Sequence, residues 1–502
     1  MAHLPDWRRL LLLLLAGGSV PLAFAPFGLY PLAVLAPLPL FALWLKAPPR
    51  QAMVAGFVFG LGQFGAGVSW VYVAIHDFGH SAVPVAALLT LLLVALLAVI
   101  PALVGYLAAR FAPRGAATAV LALLWLPALW ALGEWVRGWY LTGFPWLSLG
   151  YSQIDSPLAG YAPLLGVFGV SWLVALSAGA LLWLWQARLP ALRWVLPLLL
   201  AIWGGGALLG AQSWSEPLGE PLRVTLIQGN LPQSTKWDPA AIRTRLERYA
   251  ELTQLHFDDS DLVIWPENAV TVFYHDIKEA FFDGLAEDAR ASGTDLILGV
   301  PLLDDDGERY YTTLMSLGSS HAFYRKRHLV PFGEFLPLEG VLRGLINFFD
   351  LPMSSFSPGP KGQPLLQAAG HKVAATVCYE DAFGEEMIDF LPEASLLVNG
   401  SNNAWYGDSL APHQHLQISR MRALETGRPM LRATTNGISA LIDEKGEIRM
   451  RSAQFRTEML SGSVQPMQGA TPYVRWGNWT VVMLLLGIVA VVRWGGWKEV
   501  VS

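Results

Sequence analysis

At 502 residues the chain is too long for one ordinary domain, and two are expected. Hydrophobic residues make up 53% and charged residues 15%, against about 25% charged in an average soluble domain, so the composition excludes a purely soluble globule and indicates a membrane protein. The net charge of −5, with no run of Lys or Arg, leaves no nucleic-acid footprint, and a lone cysteine cannot form an internal disulfide.

Up to Ala211 the chain is apolar with short polar breaks. Its runs predict seven spans, over residues 10–24, 29–45, 52–75, 83–109, 116–132, 165–185 and 194–211, most of them near the ~20 residues that cross a bilayer. An eighth, 476–492, stands alone near the C-terminus. Arg8, Arg9, the leucines after them and Ala23-Phe24-Ala25 have the form of a signal peptide. Pro26 disfavours cleavage there and another apolar run follows at once, so the expectation is an uncleaved first helix. Arg8/Arg9, Lys46/Arg50, Arg110/Arg114 and Arg188/Arg193 fall at alternate span ends, and Arg493 and Lys498 follow the last span. Only Arg137 interrupts the opposite side. The positive-inside rule then puts both termini in the cytoplasm and the segment from Ser213 outside it. The 21 Trp residues suit a chain with many membrane–water boundaries.

Several motifs in this half have the form of chemical sites. Gly60-Leu61-Gly62-Gln63-Phe64-Gly65 fits a dinucleotide fingerprint but lies inside a span with no strand before it, so close helix packing through small residues is expected instead. His76 and His80 read as solvated residues of a short outer loop. Glu134 and Arg137, at the outer end of the fifth span, read either as an interfacial anchor or as a site for a lipid headgroup or its phosphate. The uncharged, aromatic stretch 141–164 is expected to lie along the outer surface.

From Leu222 the pattern changes to strands alternating with helices, with some hairpins. Strands are predicted over 222–230, 261–266, 295–301, 310–317, 321–327, 372–377 and 395–399. Helices are predicted over 239–257, 276–291, after Phe383 and over 413–426, with a hairpin over 430–448. This describes a layered α/β domain of ~250 residues.

Three polar residues sit at strand ends among apolar neighbours: Glu267, Lys326 and Cys378. A thiol needs a base to become a thiolate, and a carboxylate in a partly desolvated site can act as one. The tetrahedral intermediate needs a positive donor, which a lysine and backbone N–H groups supply. Taken singly, each residue has a plain structural reading: a buried core cysteine, a helix-capping glutamate and a surface lysine.

The sequences around them carry a resemblance. Trp265-Pro266-Glu267-Asn268, the run from Tyr324 through Lys326 to Phe335, and Val377-Cys378-Tyr379-Glu380-Asp381 resemble the Glu-Lys-Cys blocks of the nitrilase-like carbon–nitrogen hydrolase superfamily. With seven leading spans, an external domain and one closing span, the whole chain resembles the bacterial apolipoprotein N-acyltransferase family. The resemblance implies a multi-pass α-helical membrane domain over 1–212, an α/β nitrilase-like αββα sandwich over 213–470 in the periplasm, and a closing helix with cytoplasmic tail over 471–502. It implies an inner-membrane enzyme with no cofactor and no metal. Glu267 would be the general base, Lys326 the oxyanion stabiliser and Cys378 the nucleophile carrying an acyl thioester. The Tyr379 N–H would be a second oxyanion donor, and Glu334 would position the lysine or the base. Trp237, Tyr379 and Glu380 match family positions near substrate. The implied donor is a membrane phospholipid, typically phosphatidylethanolamine, and the acceptor is the N-terminal amine of a diacylated apolipoprotein.

Three stretches stay outside those roles. The apolar run 341–356 reads as a lid that dips into the outer leaflet, with core packing as the alternative. His413 and His415 read as helix-surface or core residues, since no third metal ligand accompanies them. Residues 399–406 read as a loop near the thiol end of the sheet, with a substrate-facing role. Two rival functions compete: a membrane-bound amidase or nitrilase that gives its acyl group to water, and a transporter or receptor with an external domain. The near absence of ionisable residues inside the spans speaks against transport.

Overall fold

The computed structural model describes residues 6–232, 238–304, 306–335 and 356–495. The chain divides into two compact units, Met1–Tyr72 with Ser81–Ser213 and Arg475–Ser502, and Val73–His80 with Trp214–Val474.

The first unit is helical. In chain order come α1 (Asp6–Ser19), α2 (Pro31–Trp44), α3 (Pro49–Gly67), α4 (Val71–Phe78), α5 (Val83–Arg110), α6 (Thr118–Arg137), α7 (Pro157–Ala187) and α8 (Leu189–Gly210). Among the described residues four helices are long and apolar enough to cross a membrane, or five if α3 and α4 form one broken span. Every predicted span has a helix at its place, although α1, α2 and the closing helix Trp479–Trp494 are shorter.

Two expectations change. The third span is not continuous: α3 and α4 meet at 59°, and all of α4 but Val71 and Tyr72 belongs with the second unit. Val68 leaves helical geometry (φ −128°, ψ 12°), and the Trp70 indole N–H donates back to the Gly67 carbonyl, closing the end of α3. His76 therefore lies on α4 rather than on a loop, and Phe78 meets the Trp405 ring edge-on at 6.0 Å. The stretch after α6 also does not lie on the surface; most of residues 145–160 are buried. Arg137 donates to the carbonyls of Phe144 and Trp146 and to Ser148 Oγ, while Glu134 accepts from the Trp130 indole and the Leu149 N–H. The pair pins this segment into the bundle from inside, because buried charges and buried backbone groups satisfy one another there.

The fingerprint-like glycines pack helices, as expected. A Cβ on Gly62 would stand 2.1 Å from the Leu14 carbonyl oxygen, so α1 and α3 approach closely only with glycine at this position.

Among its described residues the second unit carries two six-stranded sheets and a two-stranded ribbon of Glu216–Pro217 with Met467–Gln468. The strands of the two large sheets are β1 (Leu222–Gln228), β2 (Leu262–Ile264), β3 (Asp295–Leu303), β4 (Tyr310–Leu317), β5 (Ala322–Arg325), β6 (Leu366–Ala368), β7 (His371–Val377), β8 (Leu396–Ser401), β9 (Met430–Thr434), β10 (Ala440–Ile442), β11 (Ile448–Arg451) and β12 (Glu458–Val464). One sheet runs β12-β1-β2-β3-β4-β5 and the other β11-β10-β9-β8-β7-β6. Each has a parallel centre, β1-β2-β3 and β7-β8-β9, with antiparallel flanks. The parallel strands are buried on both faces, which explains their unbroken apolar runs. Helices α9 (Pro239–Gln254) and α10 (Asp283–Ser292) cover the first sheet, with Tyr249, Leu252, Leu285 and Ala289 packed on Val263, Trp265 and Leu298. Helix α11 (Leu410–Thr426) covers the second. Gln228, from β1, joins the facing sheets through Thr434, Ser439 and Ser452. The architecture is an αββα sandwich. Strands β6 and β12, and β11 beyond Ile448, fall outside the predicted strands; β12 pairs along the whole of β1 although its Ser461-Gly462-Ser463 segment offers little apolar signal.

Candidate active site

Glu267 is delivered by the turn after β2. Trp265 anchors that turn: it is fully buried, stacks on Tyr249 at 4.9 Å and donates its indole N–H to Thr253 Oγ1. A Cβ on Gly299 of β3 would lie 2.3 Å from the Pro266 carbonyl oxygen, so the strand beside the turn needs a glycine. The Glu267 carboxylate accepts from the Asn402 N–H at 2.8 Å, which ties it to the end of the other sheet.

Lys326 follows β5. Its backbone is held on both sides, N–H to the Thr312 carbonyl and carbonyl from the Gly359 N–H. Its side chain is 1% exposed, with Nζ 2.7 Å from Glu334 Oε1 and 3.6 Å from Glu267 Oε1. Glu334 Oε2 accepts from the Val330 N–H at 2.7 Å, closing the loop that carries it. Burial works against the Lys326 ammonium, but the charges of Glu334, Glu267 and Cys378 outweigh it and hold its pKa above the usual lysine range.

Cys378 stands where β7 ends. Val377 is still extended (φ −116°, ψ 117°), Cys378 turns to φ +52°, and residues Cys378–Ala382 form a single tight turn. Positive φ at a residue with a Cβ costs about 1–2 kcal/mol and lifts the side chain out of the strand direction. The turn is clamped by Glu380, whose buried carboxylate accepts from the Tyr324 hydroxyl and from the N–H groups of Val377, Arg327 and His328. Burial pushes Glu380 up to about 7, against the pull of Lys326 and these donors. Burial, then the negative charge of Glu267, push the Cys378 thiol up to about 12, with Lys326 opposing them. At rest Cys378 is therefore a thiol rather than a thiolate. The half-buried Tyr406 carries its phenol among the same charges; burial and Cys378 raise its pKa.

The two sheets thus converge on one point, Glu267 and Lys326 from one and Cys378 from the other, with Glu334 against Lys326. Trp237 and residues 341–355 lie outside the described residues; Phe356 packs its ring on Tyr310 at 5.0 Å. Glu380 faces backbone N–H groups. Sequence reasoning missed a second group on the far side of Cys378: Asp381, Asn399, His415 and Arg432, all buried. Strand register brings part of it together, since Asn399 aligns with Thr376 on β7 and with Arg432 on β9. His415 is a core residue of α11, and His413 lies half-buried on the same helix. Among the described residues no group of three His, Cys, Asp or Glu side chains is placed to hold a metal ion.

Residues 16–180 match the family described as apolipoprotein N-acyltransferase N-terminal domain, and residues 223–473 match carbon–nitrogen hydrolase. An apolipoprotein N-acyltransferase of Methylococcus capsulatus is 48% identical over 484 residues, which cover 96% of this chain and 95% of that protein. One from Azotobacter vinelandii is 46% identical over 491 residues, with the same coverage. Among solved structures, an amidase from Nesterenkonia sp. aligns with a TM-score of 0.39 at 18% identity, over 53% of this chain and 98% of its own.

Proposed function

The chain belongs to the apolipoprotein N-acyltransferase family, and from that premise we propose how its residues carry an acyl chain to the N-terminal amine of an apolipoprotein. Cys378 is the nucleophile and Glu267 its base. As Sγ attacks the ester carbonyl of a membrane phospholipid, phosphatidylethanolamine being the favoured donor, Glu267 takes the thiol proton. A C–S bond forms and the carbonyl π pair moves onto oxygen. Lys326 Nζ and the Tyr379 N–H stabilise that oxyanion. Collapse breaks the C–O bond, the leaving alkoxide takes the proton from Glu267, and a lysophospholipid departs from a thioester on Cys378. The amine of a diacylglyceryl-cysteine N-terminus then attacks the thioester and gives a proton to Glu267. Collapse expels the Cys378 thiolate, which recovers that proton, and the product is an amide. Glu334 holds Lys326, Glu380 holds the Cys378 turn, and Trp237 is assigned to the substrate side.

The observation that carries this reading is the juxtaposition of Lys326 with Glu267 and Glu334 in a buried cluster whose charges reach the only cysteine. Covalent catalysis suits two lipid-borne substrates, because donor and acceptor need not be bound at once. The protein is a membrane protein; its domains are assigned as 1–212, 213–470 and 471–502, with the catalytic domain periplasmic and both termini cytoplasmic, on the placement of basic residues at span ends. The membrane helices favour lipid substrates over the rival amidase reading. Mass spectrometry of the purified enzyme after incubation with phosphatidylethanolamine vesicles tests the assignment. A fatty-acyl adduct on Cys378, absent in Cys378→Ser, is expected; an enzyme that turns over without one contradicts it.

A further inference from the structure

The group behind Cys378 has no part in the steps above, yet it touches the nucleophile's own backbone. The Cys378 carbonyl oxygen accepts from Asn399 Nδ2 at 3.1 Å and from His415 Nε2 at 3.2 Å. His415 Nε2 also lies 2.7 Å from Asp381 Oδ1. A carbonyl and a carboxylate only accept, so Nε2 carries the proton. On the other side, Nδ1 is 3.1 Å from Asn403 Nδ2, and Asn403 Oδ1 takes a hydrogen bond from Arg432. That fixes the amide with its nitrogen toward the ring, so Nδ1 accepts and the imidazole is neutral. Burial and the Arg432 charge hold its pKa below the usual range, in agreement. Arg432 also donates to Asp381 Oδ2 and, at 2.7 Å, to Asn399 Oδ1, while Ser419 donates to Asp381. Both donors to the Cys378 carbonyl are thus braced from behind.

The Cys378–Tyr379 peptide is trans, so its C=O and N–H point in opposite directions within one plane. Holding the carbonyl on one side fixes the N–H on the other. The positive φ of Cys378 is a strained conformation for a residue with a Cβ, and two side-chain donors to its carbonyl oppose rotation of the peptide that follows. We propose that His415 and Asn399 are positioning residues of the oxyanion hole, which by gripping the Cys378 carbonyl aim the Tyr379 N–H at the oxyanion formed during acylation. Donation to the carbonyl also polarises the peptide and strengthens its N–H as a donor. The inference rests on Cys378 being the nucleophile and Tyr379 N–H a donor to its intermediate.

Two substitutions each remove one grip: His415→Leu and Asn399→Ser. In the purified full-length enzyme with phosphatidylethanolamine vesicles, each is expected to slow thioester formation about tenfold, less than outright loss of an oxyanion donor, and to leave KM within about twofold. Alkylation of Cys378 by iodoacetamide needs a deprotonated sulfur but forms no oxyanion, so its rate should stay within about twofold of the wild type. His415→Gln, whose amide can donate to the same carbonyl, should recover most of the acylation rate. Should His415→Leu not fold, Asn399→Ser and His415→Gln keep both arms of the comparison. Parallel loss of acylation and alkylation would mean that the group shapes the thiol rather than the hole, and would overturn the proposal. Unchanged acylation in the folded variants overturns it equally. A wild-type enzyme that forms no adduct on Cys378 defeats the underlying site assignment instead, whatever the variants do.

Discussion

Cys378 has two charged neighbourhoods that use the same residue types to opposite ends. On one side Lys326 is flanked by two carboxylates, Glu267 and Glu334, so negative charge is in excess beside the thiol. On the other, Arg432 is ion-paired with Asp381 and His415 is neutral, so the charges of that group balance. In the proposed mechanism the first cluster accepts a proton and meets the developing oxyanion. The second has nothing to exchange and holds geometry. Excess charge suits the proposed reacting side of the nucleophile, and balanced charge held by several hydrogen bonds suits its support.

The sharpest way to break this comparison is to remove groups from the reacting side. Cys378→Ala should abolish thioester formation, and Lys326→Met should slow it by about 10²–10³, both read from acyl-adduct formation by mass spectrometry. Glu267→Gln should slow acylation by about 10²–10⁴ and still let the thiol ionise at lower pH, because the Glu267 charge raises the Cys378 pKa. Titration of thiolate absorbance checks the sign: a thiol pKa that rises in this variant contradicts the assignment. On the supporting side, Arg432→Leu strands Asp381 without its cation, and should cost about 3–5 kcal/mol of unfolding free energy in a denaturant titration. The smallest effect is at Glu380. Its carboxyl titrates at about 7 in the folded protein against an ordinary 4.5. Its contribution to stability is thus fully present below the ordinary value and lost as pH rises through about 7. Thermal unfolding of wild type and Glu380→Gln across that range should show the wild-type advantage shrinking with rising pH; a constant difference contradicts it.

The reacting side was legible in the sequence and the supporting side was not. Glu267, Lys326 and Cys378 each close an apolar strand within a distinctive local run, and local runs survive in one dimension. Asp381, Asn399, His415 and Arg432 come from a turn, two strands and a helix; the parallel register of β8 and β9 aligns Asn399 with Arg432, and tertiary packing brings in the other two. Read singly, His415 is one more core histidine. The αββα layers followed from alternating strand and helix signals, but β12 carries too few apolar residues to announce itself. In the membrane unit the apolar runs located the helices. They did not reveal the break after Gly67, which a non-helical Val68 and a tryptophan side chain create, or the burial of the segment after α6, which Glu134 and Arg137 impose through hydrogen bonds.

The central claim is that Cys378 carries the acyl chain and passes it to an amine. It is tested most directly by isolating the acylated enzyme and adding a diacylglyceryl-cysteine peptide, with its N-terminal amine either free or acetylated. The free amine should discharge Cys378 at least about a hundredfold faster than the blocked peptide and yield an N-acylated product. Discharge at equal rates by both peptides, with fatty acid as the product, would contradict the transfer and identify a hydrolase.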